Sequence, residues 1–292
     1  MDPARLAPGL NLFAGRELTY PRAALARVAG TRFELVSSVA WRTASDWRIL
    51  PRTCPDCLLF VPLSGSVDLV RDDCAHRLSP GQVGVIPTMA KHAAGHARGT
   101  RTWEVIALHC HARDAVGSDL FRAFSSPVLT LPGHVQWLAR LVDLTALTAR
   151  DPDAGRALAG ALLPMLVCDL LAAGAPWQEP GAPDPRIAAA LRALHADVRA
   201  RRPMTEMARL SGLSPARFRV VFRAATGQSP KRYQDRLRLS EAARRLRGSA
   251  DPVRAIADDL GFANDHHFHH RFRLAYGCTP SQWRAQEAWT HT

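Results

Sequence analysis

Two blocks near the C-terminus repeat one another, and this repeat limits the fold of residues 204–284 more tightly than any other feature of the chain. Met207 and Ile256, Ala208 and Ala257, and Gly212 and Gly261 are each 49 positions apart. Beyond them the offset becomes 50, in Phe218/Phe268, Phe222/Phe272, Arg223/Arg273, Gly227/Gly277, Pro230/Pro280 and Tyr233/Trp283. One inserted residue in a turn explains the change. Each matched type has a physical reason to recur. A small Ala lets a first helix pack closely on a second, and Gly supplies the positive φ of a tight turn between them. Ser214 and Asn264 are good N-caps for the next helix, and Pro215 suits its first turn. The Phe pairs at i, i+4 anchor that helix to a core. Gly227 and Gly277 mark its end, with a Pro three residues on. Helix, tight turn, capped helix, stop: the pattern is a helix-turn-helix, written twice.

Rotation about the second helix of each copy identifies its outward face. At about 100° per residue, the direction opposite Phe218 and Phe222 holds Ala216 and Val220, flanked by Arg219 and Arg223. The same rotation in the second copy leads to His266 and His270, flanked by His269 and Arg273, in a helix that Asp265 opens. A recognition helix presents such side chains to the major groove, mainly from its N-terminal half. Arg219 suits a bidentate contact to guanine, and Ala216 or Val220 a thymine methyl. Arg217, Arg223 and Arg273 suit phosphates, which position without specifying. Solvated faces of ordinary helices also carry Arg and His, so one such face would decide nothing. Two matching faces in a basic segment favour duplex DNA. Residues 184–292 hold 20 basic and 10 acidic side chains, against 38 and 26 in the whole chain, so +10 of the formal +12 lies there. That asymmetry is expected of a polyanion-binding module joined to a near-neutral domain.

The stretch from Met204 to Arg284 resembles the DNA-binding domain of AraC/XylS transcriptional regulators throughout. The likeness lies in SGLSPARFRVVFRAATGQSPKRYQDRLRLSEAARRL and in IADDLGFANDHHFHHRFRLAYGCTPSQWR. It implies a seven-helix domain in which one long helix, roughly Ser229–Leu246, joins the two units. Leu239, Ala242, Ala243 and Leu246 give that connector an apolar stripe. A helix around Ile187, Leu191, Leu194 and Val198 packs ahead of the first unit. Both recognition helices then enter successive major grooves on one DNA face, roughly one turn (~34 Å) apart. The resemblance further implies a bacterial regulator of the cytoplasm and nucleoid, more often an activator, that works with RNA polymerase and as a homodimer. One departure is the His-rich NDHHFHH, where similar proteins tend to carry Ser, Gln, Thr or Arg. His266 and His270 at i, i+4 could hold a metal, but their groove-facing position favours an operator affinity that rises as pH falls through the histidine range.

The first half reads as β structure. FELVSSVAW (33–41), CLLFVPL (57–63), SVDLV (66–70), QVGVIP (82–87) and TWEVIALHC (102–110) are short apolar or alternating runs separated by turn residues. Short strands at this spacing suggest a barrel or jelly roll. After Pro132 the pattern becomes helical, over 135–150 and 154–174, with Pro164 placed to kink the second helix. GAPWQEPGAPDP (174–185) is rich in Pro and Gly and reads as a linker. The expected fold is two-domain: an N-terminal all-β barrel with two appended helices (1–173), cupin-like by its resemblance at GQVGVIPTMAKH (81–92), then an all-α double helix-turn-helix domain (186–292). The two units fall at about 204–226 and 253–276. No apolar run approaches bilayer length, and MDPARLAPGLNLFAGREL lacks a signal core, so a cytosolic protein without a membrane partner is expected.

GQVGVIPTMAKH (81–92) places Gly81, Pro87 and His92 at the spacing of the second cupin motif, and with LLFVPLSGSVDLV it resembles the sensor barrel of many AraC-type regulators. That resemblance implies a small effector inside the barrel, coupled to DNA binding; it names no effector-binding residue here. Cupin metalloenzymes usually carry an H-x-H…E cluster in the first motif, and none lies ahead of Gly81, so no catalysis and no obligatory cofactor are expected. The competing class is a cupin metalloenzyme whose basic tail binds nucleic acid. A further alternative is a metal- or redox-responsive regulator. If Ser64-Gly65 is a two-residue hairpin turn, the register pairs Leu63 with Ser66 and Cys57 with Asp72. Cys54, Cys57 and Cys74 then gather at one end of the sheet near His76, a set suited to zinc or another soft metal, or to a thiol switch. Three unrelated cysteines near a loop remain the plainer alternative.

Overall fold

The computed structural model describes residues 22–43, 46–114, 118–178 and 184–285. A helix α1 (Arg22–Ala29) leads into β1 (Arg32–Thr43), β2 (Arg48–Thr53), β3 (Cys57–Ser64), β4 (Val67–Arg71) and β5 (Cys74–Leu78). β6 (Gln82–Ile86), β7 (Lys91–His96), β8 (Trp103–Arg113) and β9 (Val128–Thr130) complete two antiparallel sheets, in the orders β1-β8-β3-β6-β9 and β2-β7-β4-β5. Between the sheets, Leu58, Phe60, Val105 and Ala107 of the larger one meet Val67, Leu69, Leu78 and Ala94. The alternate residues Cys57, Leu59, Val61, Ile106, Leu108 and Cys110 face the other way, under α2 (His134–Arg150) and α3 (Pro152–Ala172). Burial of both faces explains why these strands read as continuous apolar runs.

The sequence reading missed β2, β5, β7 and β9. RILPRT, CAHRL and KHAAGH carry few of the β-branched and aromatic residues that favour strands. Pairing with β4 orders β5 and β7, while β2 pairs with β7.

Ser64-Gly65 does not close a two-residue hairpin, which corrects the expected register. β3 pairs with β8 and β6, whereas β4 pairs with β5 and β7. Gly65, at φ 72°, turns the chain from one sheet into the other, and a Cβ there would lie 2.3 Å from the Thr102 carbonyl oxygen. Cys57 accordingly faces Cys110 rather than Asp72.

A second correction concerns α3, which is long and apolar enough to cross a bilayer by length and composition. In the structure it lies on β1 and α2, with Leu163, Leu166, Val167 and Leu170 buried, and it continues as helix through Pro164. Its N-terminal turn comes very close to α2, since a Cβ on Gly155 would sit 2.4 Å from Thr148 Oγ1. The start of the linker is pinned to the barrel. Gln178 N–H donates to the Ala123 carbonyl at 2.7 Å, and the Trp177 and Phe124 rings meet edge to face at 5.3 Å. Residues 179–183 of the expected linker lie outside the described residues.

The remaining elements are α4 (Pro185–Ala196), α5 (Met204–Leu210), α6 (Pro215–Thr226), α7 (Pro230–Gly248), α8 (Val253–Asp259), α9 (Asp265–Tyr276) and α10 (Pro280–Ala285). They enclose two small cores. The first gathers Ile187, Leu191 and Leu194 of α4 with Met207, Phe218 and Phe222. The second gathers Leu239, Ala242, Ala243 and Leu246 of α7 with Ile256, Phe268, Phe272 and Trp283, and it takes in Val36 and Cys54 of the barrel. The connector α7 thus serves both cores and also lies against β1.

Candidate nucleic-acid interface

Both helix-turn-helix units are built by the local devices of the repeat. Gly212 and Gly261 turn at φ 62° and 70°. Ser214 Oγ accepts from the Arg217 N–H at 3.3 Å, and Asn264 Oδ1 from the His267 N–H at 2.8 Å. Phe218 and Phe222, with ring centroids 5.2 Å apart, and Phe268 and Phe272, 5.6 Å apart, fix one face of α6 and of α9 to the two cores.

The opposite faces are open. Ala216, Arg217, Arg219, Val220 and Arg223 are exposed on α6, and Val220 is 61% accessible although it is apolar. On α9, His266, His270 and Arg273 are exposed, while Asp265 and His269 are half-buried. His267 is exposed as well, a position the rotational argument passed over. Among the described residues Arg217, Arg219, Arg223 and Arg273 have no carboxylate within ion-pair distance. Asp265, by contrast, has Arg254 at 4.0 Å. Unpaired guanidinium groups around an exposed aliphatic side chain suit a partner that offers phosphates and base edges.

The C-terminal end of α9 is held by the barrel. Tyr276 Oη donates to Asp56 Oδ2 at 2.9 Å, and Arg52 donates to the Tyr276 carbonyl. Asp56 lies wholly buried beside His109, whose Nδ1 is 2.8 Å from Asp56 Oδ1, and the Cys54 thiol donates to the same oxygen at 2.9 Å. Burial acts to raise the Asp56 carboxyl, but His109 and the Cys54 and Tyr276 donors hold it below the usual carboxylate range. His109 also meets Trp283 edge to face at 4.9 Å.

A second junction joins β8 to α4 and α7. Arg113 donates to Nδ1 of His111 at 2.6 Å and to Nδ1 of His195 at 3.4 Å. The Nε2 atoms of these rings lie 2.5 Å from Ser240 Oγ and 2.8 Å from Tyr233 Oη. Burial, with Arg113 and Arg236 nearby, pushes His195 down to about 2, and the same causes hold His111 well below its ordinary value. A guanidinium can only donate, so each ring accepts from Arg113 at Nδ1.

Between the first junction and the barrel mouth lies a cavity of about 790 Å³. Its apolar wall is Val39, Trp41, Trp47, Leu58 and Phe60 of the barrel, and its far wall is Tyr276 and Trp283. Arg48, Arg52, His270 and Arg273 also border it. The cavity thus touches the outward face of α9 itself. His92, the third position of the cupin-like spacing, is a bonded wall residue: Nδ1 lies 3.1 Å from the Ala90 carbonyl, and burial pushes its pKa to about 4.

The cysteines do not gather as expected. Cys57 packs with the core under α2 and α3, its thiol 3.1 Å from Asp119 Oδ1, whereas Cys54 joins the second helical core. Cys74 is exposed in the other sheet, on the strand that carries the half-buried His76. The altered register at Gly65 is the reason. Among the described residues, the group of potential metal-ligating side chains that does converge is Cys54, Asp56 and His109. Asp56 and His109 carry no periodic or motif signal in the sequence.

A family model described as a helix-turn-helix domain matches residues 207–286. The HTH-type transcriptional activator RhaS of Pectobacterium carotovorum is 46% identical over 61 residues, 21% of this chain and 22% of its own length. The RCS-specific HTH-type transcriptional activator RclR of Escherichia coli is 35% identical over 78 residues, 27% of this chain and 28% of its own. The matches thus span between a fifth and a third of these curated relatives. Across both domains the fold is similar to that of ToxT from Vibrio cholerae, solved with (E)-4-(8-methylnaphthalen-1-yl)but-3-enoic acid. The TM-score is 0.62 at 10% identity, over 88% of this chain and all of that one. A second ToxT structure, bound to an unsaturated fatty acid, gives a TM-score of 0.58 at 12% identity, over 88% of this chain and 96% of that one.

Proposed function

We propose that this chain, which carries an AraC-type helix-turn-helix domain, is a sequence-specific DNA-binding transcription regulator governed by a small molecule. The observation that carries the reading is the pair of exposed faces on α6 and α9, set at equivalent rotational positions and backed by matching Phe pairs. Arg219, Ala216 and Val220 read bases from the first helix, and His266, His269 and His270 from the second. Arg217, Arg223 and Arg273 hold phosphates, and Asp265 opens the second reading helix. In this reading the protein activates transcription with RNA polymerase, as a homodimer in the cytoplasm and at the nucleoid, and performs no catalysis.

The effector occupies the cavity between barrel and α9. An apolar wall with arginines at its border suits a molecule with a hydrophobic body and an anionic end. The fatty acid and naphthalenyl-butenoic acid bound by ToxT have that chemistry. Ligand and DNA then compete for or cooperate through Arg273 and His270, which border the cavity and belong to the reading face.

Selection of bound sequences from random duplex DNA tests the regulator reading. A footprint over two adjacent major grooves, with affinity falling steeply as salt rises, is the expected result. Uniform binding without sequence preference would overturn it. Oleate serves as the effector probe: Trp41, Trp47 and Trp283 line the cavity, so saturable quenching of tryptophan emission is expected, together with a shift in operator affinity.

A further inference from the structure

We propose that Cys54, Asp56 and His109 form a binding site for a thiolate-accepting divalent cation such as zinc, at the joint between the barrel and the second helix-turn-helix unit. The three candidate ligand atoms all lie within 4.8 Å of one another and all three side chains are buried. Cys54 Sγ is 3.6 Å from His109 Nδ1 and 2.9 Å from Asp56 Oδ1, and the last two atoms are 2.8 Å apart. With zinc bonds of about 2.0–2.3 Å, the edges of a tetrahedral site are about 3.3–3.6 Å. One edge already has that length, and the other two need only open by about half an ångström.

Charge balance suits the depth of the site. A dication with one thiolate and one carboxylate is neutral overall, so a buried metal leaves no uncompensated charge. Binding releases a single proton, from the Cys54 thiol to solvent, while the His109 ring hydrogen moves to Nε2 and frees Nδ1 for the metal. Tyr276 Oη already donates to the other oxygen of Asp56 and so orients the carboxylate from outside the ligand set, as partners of metal-bound groups do. The cavity beside α9 is lined by His109 and Tyr276 and supplies the route in. Because Tyr276 is the last residue of α9, occupancy of the site acts directly on the end of the second recognition helix.

The test uses the full chain, stripped with a chelator and titrated with Co²⁺ alone. One equivalent is expected to give a thiolate-to-cobalt absorption band and a tetrahedral visible spectrum, both abolished by Zn²⁺. Cys54→Ser should lose the thiolate band, while Cys57→Ser and Cys74→Ser should keep it. Asp56→Asn should retain the band but need more Co²⁺ to reach it, which guards against a misfolded Cys54 variant. Absence of the band in the unmodified chain, or its survival in Cys54→Ser, overturns the site. Co²⁺ held by the exposed histidines of α9 would show no thiolate band, and so also counts against it. Operator binding by the stripped protein is measured in parallel, so failure of the metal site and failure of the regulator reading are read separately.

Discussion

Tyr276 Oη donates to Asp56 Oδ2 at 2.9 Å across 220 positions of sequence, so the last residue of α9 is bonded to a buried carboxylate of the barrel. Tyr276→Phe keeps the ring against Trp283 and His109 but removes one of three donors to that carboxylate. A lost hydrogen bond to a buried charged group costs about 1–3 kcal/mol. Chemical denaturation should register that loss, and effector and operator binding should become less strongly coupled. Unchanged stability would mean that the bond contributes nothing to holding the domains together.

Arg219 and Arg223 should separate specificity from affinity. Arg219→Ala is expected to cost about 1–3 kcal/mol on the preferred operator and to relax the preference at one base pair. Arg223→Ala should weaken all sequences alike and lower the slope of affinity against salt by about 1. Fluorescence anisotropy across single-base operator variants at several salt concentrations distinguishes the two. Identical profiles for both variants would remove Arg219 from base reading.

Stability should fall on acidification below the ordinary histidine pKa of 6.5. His195 is held at about 2 in the folded chain, by burial first and then by Arg113, Arg236 and Arg32. A lowered folded value means that the unfolded chain binds the proton first. His195 therefore disfavours unfolding fully above 6.5, and that contribution is lost progressively between 6.5 and about 2. Thermal melts in this window should show a shallower pH slope for His195→Gln than for the unmodified chain.

Two glycines should fail for different reasons. Gly212→Ala adds a Cβ that meets nothing within 4 Å, so its cost is the left-handed backbone alone, about 1–2 kcal/mol. Gly155→Ala puts a Cβ 2.7 Å from the Thr148 Cα, a backbone atom of the facing helix, and costs about 1–3 kcal/mol by overpacking. Operator footprints should survive in both, and melting temperatures should fall in both.

His266 and His270 are exposed on the outward face of α9. The double change His266→Gln, His270→Gln should alter the operator's base preference within one half of the footprint. An unaltered preference across single-base operator variants would remove these histidines from the interface.

The β-sheet half was less legible than the helical half. Its strongest strands were visible because burial on both faces made Cys57–Leu63 of β3 and Val105–Leu108 of β8 continuous apolar runs. Edge and outer strands such as β5, with Cys74 and His76, are polar and short and take their conformation from neighbours. The hairpin inferred at Ser64-Gly65 failed because a positive-φ glycine serves a change of sheet as well as a tight hairpin.

From the residues alone came the two helix-turn-helix units, their caps, their turns and their outward faces. Every device that makes them, from Ser214 on the Arg217 N–H to Gly261 in its turn, acts over a few positions and therefore leaves a local mark. Only the tertiary structure decided the strand order, the cavity against α9 and the meeting of Cys54, Asp56 and His109 with Tyr276. The decisive contacts join distant stretches, such as Asp56 to His109 across 53 positions and Asp56 to Tyr276 across 220, and they arise from packing of whole sheets and helices rather than from any pattern along the chain.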